Sequence, residues 1–204
     1  MQIIRFESTQ INKEKNLYNK IIIFNSKTGV IDTKIIEPTY IDLNNYQSIL
    51  SKYKLPTHDI KVIFNDMVNN SYSFPFKIYL DITDSCQLNC KHCLTKKLNL
   101  KNQLSKEQLD SIIDECDSHG AFFVKLGGGE PLLHPNVFET IKRFNDIGMK
   151  VSISTNGIMM NDNIAKFLKD NNVKVSVSLE GPKEINDYIR GINHYDKAIE
   201  ALKI

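Results

Sequence analysis

Apolar positions along this chain fall into two textures. Near the N-terminus, residues 20–24 and 30–36 are apolar enough for two strands, and Asn25, Ser26, Lys27, Thr28 and Gly29 between them suit a turn. Helical stretches are expected near 43–53 and 58–68, and the polar residues before Phe74 and Pro75 make 69–75 a linker. After it the pattern becomes regular. Residues 77–82 alternate as a strand, and Ser105 with Gln108 three residues on forms a capping box. Leu109, Ile112, Ile113 and Cys116 then recur at helical spacing as one buried stripe, and Gly120 stands where a left-handed cap ends a helix.

Three further strand–helix pairs are predicted. The first is a strand over 121–126 and a helix opened by Pro135 and ended by Gly148. The second pairs 150–154 with a helix over 161–170, and the third pairs 173–179 with a helix over 184–189. Repeated strand–helix units with short connections specify an α/β domain with a parallel sheet and right-handed crossovers. In such sheets the chemistry collects at the C-terminal ends of the strands. The expected division is a small α+β module over 1–74 and an α/β core over 75–204.

Composition narrows the function without naming it. At 204 residues and 41% hydrophobic, the chain can bury a core as one large domain or two small ones. Its 26 basic and 24 acidic residues nearly cancel, which does not suit a dedicated nucleic-acid binder with a basic stripe. No apolar run approaches a bilayer span; the longest, such as Ile21, Ile22, Ile23 and Phe24, are strand-sized. The first residues lack a basic region followed by an apolar stretch and a cleavage site. A cytoplasmic protein with neither nucleic acid nor membrane as partner is expected.

Three of the four cysteines, Cys86, Cys90 and Cys93, crowd into eight residues after the strand at 77–82. A disulfide scaffold spreads its cysteines through a short, loop-rich chain, so this clustering indicates a metal site. Two arrangements remain open. Three thiolates can hold three irons of a cubane cluster and leave the fourth for another ligand, since clusters are otherwise fully cysteine-ligated. Alternatively, zinc takes the three with His92 or Cys116 as fourth ligand. His92 is wedged between ligands, and Cys116 lies on a core stripe where a buried thiol is the ordinary role.

Three more motifs follow successive strands. Gly127, Gly128, Gly129, Glu130 and Pro131 let backbone approach a ligand closely and offer a carboxylate to an ammonium group. Ser154, Thr155, Asn156 and Gly157 suit a tight turn as well as a ligand contact. Ser178 alternates with Val175 and Val177 near its strand's end, followed by Leu179, Glu180, Gly181 and Pro182. Arg190 beyond them can grip a carboxylate bidentately or simply lie on a surface helix.

Cys86, Cys90 and Cys93, together with these three motifs in this order, resemble the radical S-adenosylmethionine (radical SAM) enzymes. The resemblance covers about residues 76–204 and is nearest to the peptide- and protein-modifying, SPASM-like maturase branch. It implies a partial (βα)6 barrel, a [4Fe-4S] cluster and S-adenosylmethionine as cofactors. In that family the amino and carboxylate groups of S-adenosylmethionine chelate the fourth iron, and reductive cleavage of the sulfonium releases a 5′-deoxyadenosyl radical. Carried over position by position, the resemblance makes Cys86, Cys90 and Cys93 the metal ligands and places His92 beside the adenine. Gly128, Gly129 and Glu130 then bind the amino group, and Ser178 and Arg190 hold the ribose or carboxylate. Ser154, Asn156 and Glu180 complete the cofactor contacts. Most relatives carry Asp where Glu180 stands. No catalytic residue is assigned beyond the cluster.

About four strand–helix units are present, and the chain stops at Lys203 and Ile204 still in helical pattern. The barrel is therefore expected to be incomplete: the family's later strands and the auxiliary-cluster cysteines are missing, and the fourth strand has an exposed edge. The implied partners are a peptide or protein substrate and a reductant such as flavodoxin or ferredoxin. The N-terminal module loosely resembles the leader-peptide recognition modules of these maturases, which bind a peptide as an added strand. Two rivals stand beside the enzyme: a truncated, non-catalytic cluster-bearing or peptide-binding protein, and a zinc-stabilised structural domain.

Overall fold

The computed structural model describes residues 1–12, 15–41, 44–66, 74–98 and 101–204. The chain divides into two compact units: Met1–Lys77 with Asp114–Phe122, and Ile78–Ile113 with Phe123–Ile204.

The first unit is built on a four-stranded sheet of β1 (Gln2–Asn12), β2 (Lys15–Asn25), β3 (Ile31–Tyr40) and β4 (Ile60–Asp66), in the order β3-β2-β1-β4. The turn expected at 25–29 does join β2 to β3, which pair antiparallel, and Gly29 takes a φ of 75° there. α1 (Tyr46–Lys52) lies within the helix expected at 43–53, of which 43 falls outside the described residues. Phe6 and Phe64 stack at 5.2 Å within a core that also holds Ile4, Ile21, Ile49 and Leu50.

Two features of this unit depart from the sequence reading. The segment 58–68 was expected to be helical, yet Ile60–Asp66 is a strand running parallel to β1; 67 and 68 lie outside the described residues. Ile60, Val62, Ile63 and Phe64 are β-branched or aromatic, and partners on β1 decide the conformation where periodicity is ambiguous. β1 itself was not anticipated. Both its faces are buried, Ile4 and Phe6 on one and Ile3 and Arg5 on the other, so simple alternation is absent. Arg5 is buried by pairing with Glu7 and donating to the Phe74 carbonyl at 2.8 Å. Of the linker expected at 69–75, residues 69–73 lie outside the described residues.

The second unit carries the four strand–helix units. Its sheet has the order β5 (Lys77–Thr83), β6 (Phe123–Gly128), β7 (Lys150–Thr155) and β8 (Lys174–Val177), with β6, β7 and β8 parallel in register. A short α2 (Leu94–Lys97) and the longer α3 (Lys106–His119) separate β5 from β6; α4 (Val137–Asp146) and α5 (Asp162–Asp170) follow the next two strands. α6 (Lys183–Arg190) and α7 (His194–Lys203) come after β8.

The capping box is present: Ser105 N–H donates to Gln108 Oε1 at 2.8 Å and Gln108 N–H to Ser105 Oγ at 3.2 Å. α4 buries Val137, Thr140, Ile141 and Phe144, one helical stripe, each apolar member contributing roughly 2 kcal/mol. Asn161 caps α5 by accepting from Ile164 N–H at 3.0 Å. Boundaries shift where end groups are used otherwise. β6 begins at Phe123 rather than at 121 because Gly120 and Ala121 both donate to the Cys116 carbonyl and close α3. α4 begins at Val137, two residues past Pro135, after a turn in which Val137 N–H donates to the His134 carbonyl. β8 ends at Val177, short of the 179 expected, although Ser178 N–H still donates to the Thr155 carbonyl at 2.9 Å.

Candidate cluster and cofactor site

The four motifs meet where the strands of the second unit end. A cavity of about 200 Å³ there is lined by Cys86, Cys90, His92 and Cys93 from the loop after β5 and by Gly127, Gly128 and Gly129 at the end of β6. Ser154, Thr155 and Asn156 from the end of β7, with Ser178 and Arg190 after β8, also line it.

All three loop cysteines are free thiols. Cys93 N–H donates to the Cys90 carbonyl at 3.1 Å, and Lys97 N–H to the Cys93 carbonyl at 3.2 Å, so the loop winds directly into α2. The loop is also stitched to the end of α6: Lys91 N–H donates to the Ile189 carbonyl at 2.8 Å, and the Cys90 thiol lies 3.9 Å from the Arg190 carbonyl. Burial raises the Cys90 pKa above the ordinary thiol value; Arg190 pulls it back, while Cys86 and Cys93 nearby push it up.

The glycines serve the loop's own packing. Gly128 has a φ of +112°, and a Cβ there would lie 2.2 Å from the Thr83 carbonyl oxygen. A Cβ on Gly129 would lie 2.3 Å from the Ser85 carbonyl oxygen. The close approach allows Gly129 N–H to donate to Thr83 O at 2.6 Å and Glu130 N–H to Ser85 O at 2.7 Å. The strand end is thus zipped to the residues that lead into Cys86.

Two residues expected to touch a cofactor do not line the cavity. Glu130 is fully buried; its Oε1 accepts from Thr155 Oγ1 at 2.8 Å and from Leu132 N–H at 3.2 Å, and its Oε2 from Asn156 N–H at 2.7 Å. Burial raises its pKa against those three donors, and the carboxylate ties two motifs together. Glu180 accepts from Arg190 Nε at 2.9 Å and also from Nη2, with His92 Nε2 at 3.7 Å. The guanidinium's hydrogen bond holds the Glu180 carboxyl below its usual range. Arg190, expected to grip a ligand carboxylate, keeps one edge on Glu180 and still borders the cavity.

Sequence reasoning passed over Asn186 and His194, both fully or nearly fully buried. Their only signal is placement at the start of amphipathic helices, where a polar residue ordinarily faces solvent. His194 Nε2 lies 2.9 Å from the Asn156 carbonyl and Nδ1 3.0 Å from Asn186 Nδ2. Cys116, the other candidate zinc ligand, is buried on α3, its thiol pushed up to about 11 by burial, and is not among the cavity's residues.

The donor set fits a cluster, because three thiolates of one loop can each take one iron of a cubane and leave the fourth iron for another ligand. Among the described residues no three His, Cys, Asp or Glu side chains are arranged to hold one metal ion.

Comparison with known proteins agrees with this geometry. Residues 80–204 match the Radical SAM superfamily, and the chain belongs to it. That family binds a [4Fe-4S] cluster and S-adenosylmethionine. Mycofactocin maturase MftC of Mycobacterium tuberculosis strain H37Rv is 35% identical over 132 residues, covering 63% of this chain and 34% of the relative. Fe-coproporphyrin III synthase of Methanosarcina barkeri is 35% identical over 126 residues, covering 60% of this chain and 32% of the relative. The chain thus spans about a third of the length of these curated relatives. Among solved structures, anSMEcpe with bound AdoMet aligns with a TM-score of 0.56 at 24% identity, over 63% of this chain and 40% of that one. Streptococcus suis SuiB bound to its precursor peptide SuiA aligns with a TM-score of 0.69 at 15% identity, over 99% of this chain and 52% of that one. At these identities the likeness is one of fold. No helix among the described residues is long and apolar enough to cross a membrane.

Proposed function

We propose that this chain holds a [4Fe-4S] cluster on Cys86, Cys90 and Cys93, binds S-adenosylmethionine beside it, and starts radical modification of a peptide or protein. One observation carries the reading: three free thiols of a single loop share a cavity with the ends of the next three strands. When bound, the cluster and S-adenosylmethionine supply a reductive carbon–sulfur cleavage and a 5′-deoxyadenosyl radical; the protein's part is placement and exclusion of water. Gly128 and Gly129 present backbone to the amino group, and Ser178 and Arg190 reach the ribose or carboxylate. His92, Ser154 and Asn156 provide the remaining contacts with the adenosine and its surroundings.

A peptide substrate is supported by the maturase named above and by the fold shared with SuiB. In the N-terminal unit β3 is an outer strand of its sheet, with Ile31 and Ile35 exposed, a fitting edge for an added peptide strand. The reductant would be an acidic one-electron carrier such as flavodoxin or ferredoxin. Exposed Leu94 and Leu98 stand among exposed Lys91, Lys96, Lys97 and Lys101 next to the cysteine loop, an apolar patch ringed by one sign of charge. The cytoplasm suits free thiols, because its reducing poise keeps them so.

The test is anaerobic loading with iron and sulfide, followed by metal analysis and electron paramagnetic resonance of the dithionite-reduced protein. The reading predicts about four irons and four sulfides per chain and a spectrum altered by S-adenosylmethionine. A chain that takes up one zinc and no sulfide contradicts it.

A further inference from the structure

The turn after β7 is held from behind by buried polar side chains that do not line the cavity. Glu180 N–H donates to Asn186 Oδ1 at 3.1 Å, which fixes the orientation of that amide. Asn186 Nδ2 therefore faces His194 Nδ1 as a donor, at 3.0 Å. Nδ1 accepts, so the imidazole proton sits on Nε2 and is donated to the Asn156 carbonyl at 2.9 Å. At Asn156 the same logic applies. Ile158 N–H donates to Asn156 Oδ1 at 2.9 Å, which turns Nδ2 toward Cys86 Sγ at 3.6 Å and Gln87 Oε1 at 3.2 Å.

Asn186, His194 and Asn156 are 0%, 1% and 5% exposed, so each pays desolvation that an apolar side chain would avoid. The directed outcome of the chain is the placement of one N–H against one cysteine sulfur. Hydrogen bonds to cluster sulfurs are among the determinants of reduction potential, and partners behind a ligand fix its orientation. A donor on a thiolate withdraws charge and favours the more negative, reduced form.

We propose that His194, oriented by Asn186, is a positioning residue for the cluster ligand Cys86. It holds the Asn156 backbone so that the Asn156 amide donates to the Cys86 sulfur and raises the potential of the bound cluster. This rests on the reading that Cys86 ligates a cluster.

The test is a redox titration of the anaerobically reconstituted full chain, followed by electron paramagnetic resonance. Asn156→Ala moves the midpoint potential to a more negative value. His194→Phe moves it in the same direction, and adding His194→Phe to Asn156→Ala moves it no further. His194→Gln, whose amide can both accept from Asn186 and donate to Asn156, returns the wild-type potential. If the phenylalanine variant does not fold, His194→Asn, too short to reach the Asn156 carbonyl, takes its place with the same expected shift. Cluster-bearing variants with wild-type potentials, or shifts that add in the double variant, overturn the inference alone. A wild-type chain that takes up no cluster overturns the underlying reading, and the inference with it.

Discussion

Asn156 N–H donates to Glu130 Oε2 at 2.7 Å, joining the glycine-rich end of β6 to the turn after β7 through one buried carboxylate. Thr155 Oγ1 and Leu132 N–H occupy the other oxygen. Removing the carboxylate leaves three donors without their acceptor in a site closed to water. Glu130→Ala should therefore lower stability by about 3 kcal/mol, read from denaturant unfolding, and reduce cluster loading as well. A variant within ~0.5 kcal/mol of wild type would show that Glu130 does not join these loops.

Gly129 makes a sharper case, because the atoms a Cβ would strike are backbone. Ser85 O and Asp84 O stand at 2.3 and 2.6 Å from that position, and neither can rotate away. Gly129→Ala should destabilise by roughly 2 kcal/mol or more and displace the residues leading into Cys86. Thermal unfolding and iron content, measured on the same sample, check both effects.

Arg190 borders the cavity while Glu180 does not, so the two ends of their ion pair should behave differently. Arg190→Ala should weaken S-adenosylmethionine binding by about tenfold or more in anaerobic equilibrium dialysis. Glu180→Ala should cost only a few-fold, since it frees the guanidinium without removing it. Equal losses would place Glu180 in the binding site itself.

How much of this was legible in the sequence depended on whether a residue's signal was local. Ser105 and Gln108 announce their capping box by spacing alone, and the hydrogen bonds are there. The parallel core strands are short apolar or alternating runs bounded by turn residues, and they were found within a few positions. Residues 60–66 were misread because a β-branched run becomes a strand only when a distant partner, here β1, lies beside it. In the site, cysteine spacing and the glycine run located the cavity's walls, since both are contiguous in sequence. Glu130 kept its motif position, yet only the fold reveals that its carboxylate turns inward. Asn186 and His194 escaped notice because their partners are the backbone of Glu180 and Asn156 and each other, and no pattern of residue types records a contact to backbone.

His194 provides a pH dependence with a definite sign. Burial is the main cause that holds its pKa below the ordinary imidazole value of 6.5. The unfolded chain therefore binds a proton before the folded one does. The stabilisation from neutral His194 is complete above about pH 6.5 and is lost as pH falls through the lower folded value. Unfolding free energy should drop on mild acidification, and His194→Gln should flatten that part of the profile. An unchanged slope in the variant would assign the loss to other groups.

The most direct test of the account is 5′-deoxyadenosine formation by the reconstituted chain, supplied with dithionite and S-adenosylmethionine under anaerobic conditions. The account predicts product from the wild-type chain and none from Cys90→Ala, whose remaining two thiols cannot complete the ligand set. A wild-type chain that carries the cluster and binds S-adenosylmethionine yet forms no 5′-deoxyadenosine would contradict it.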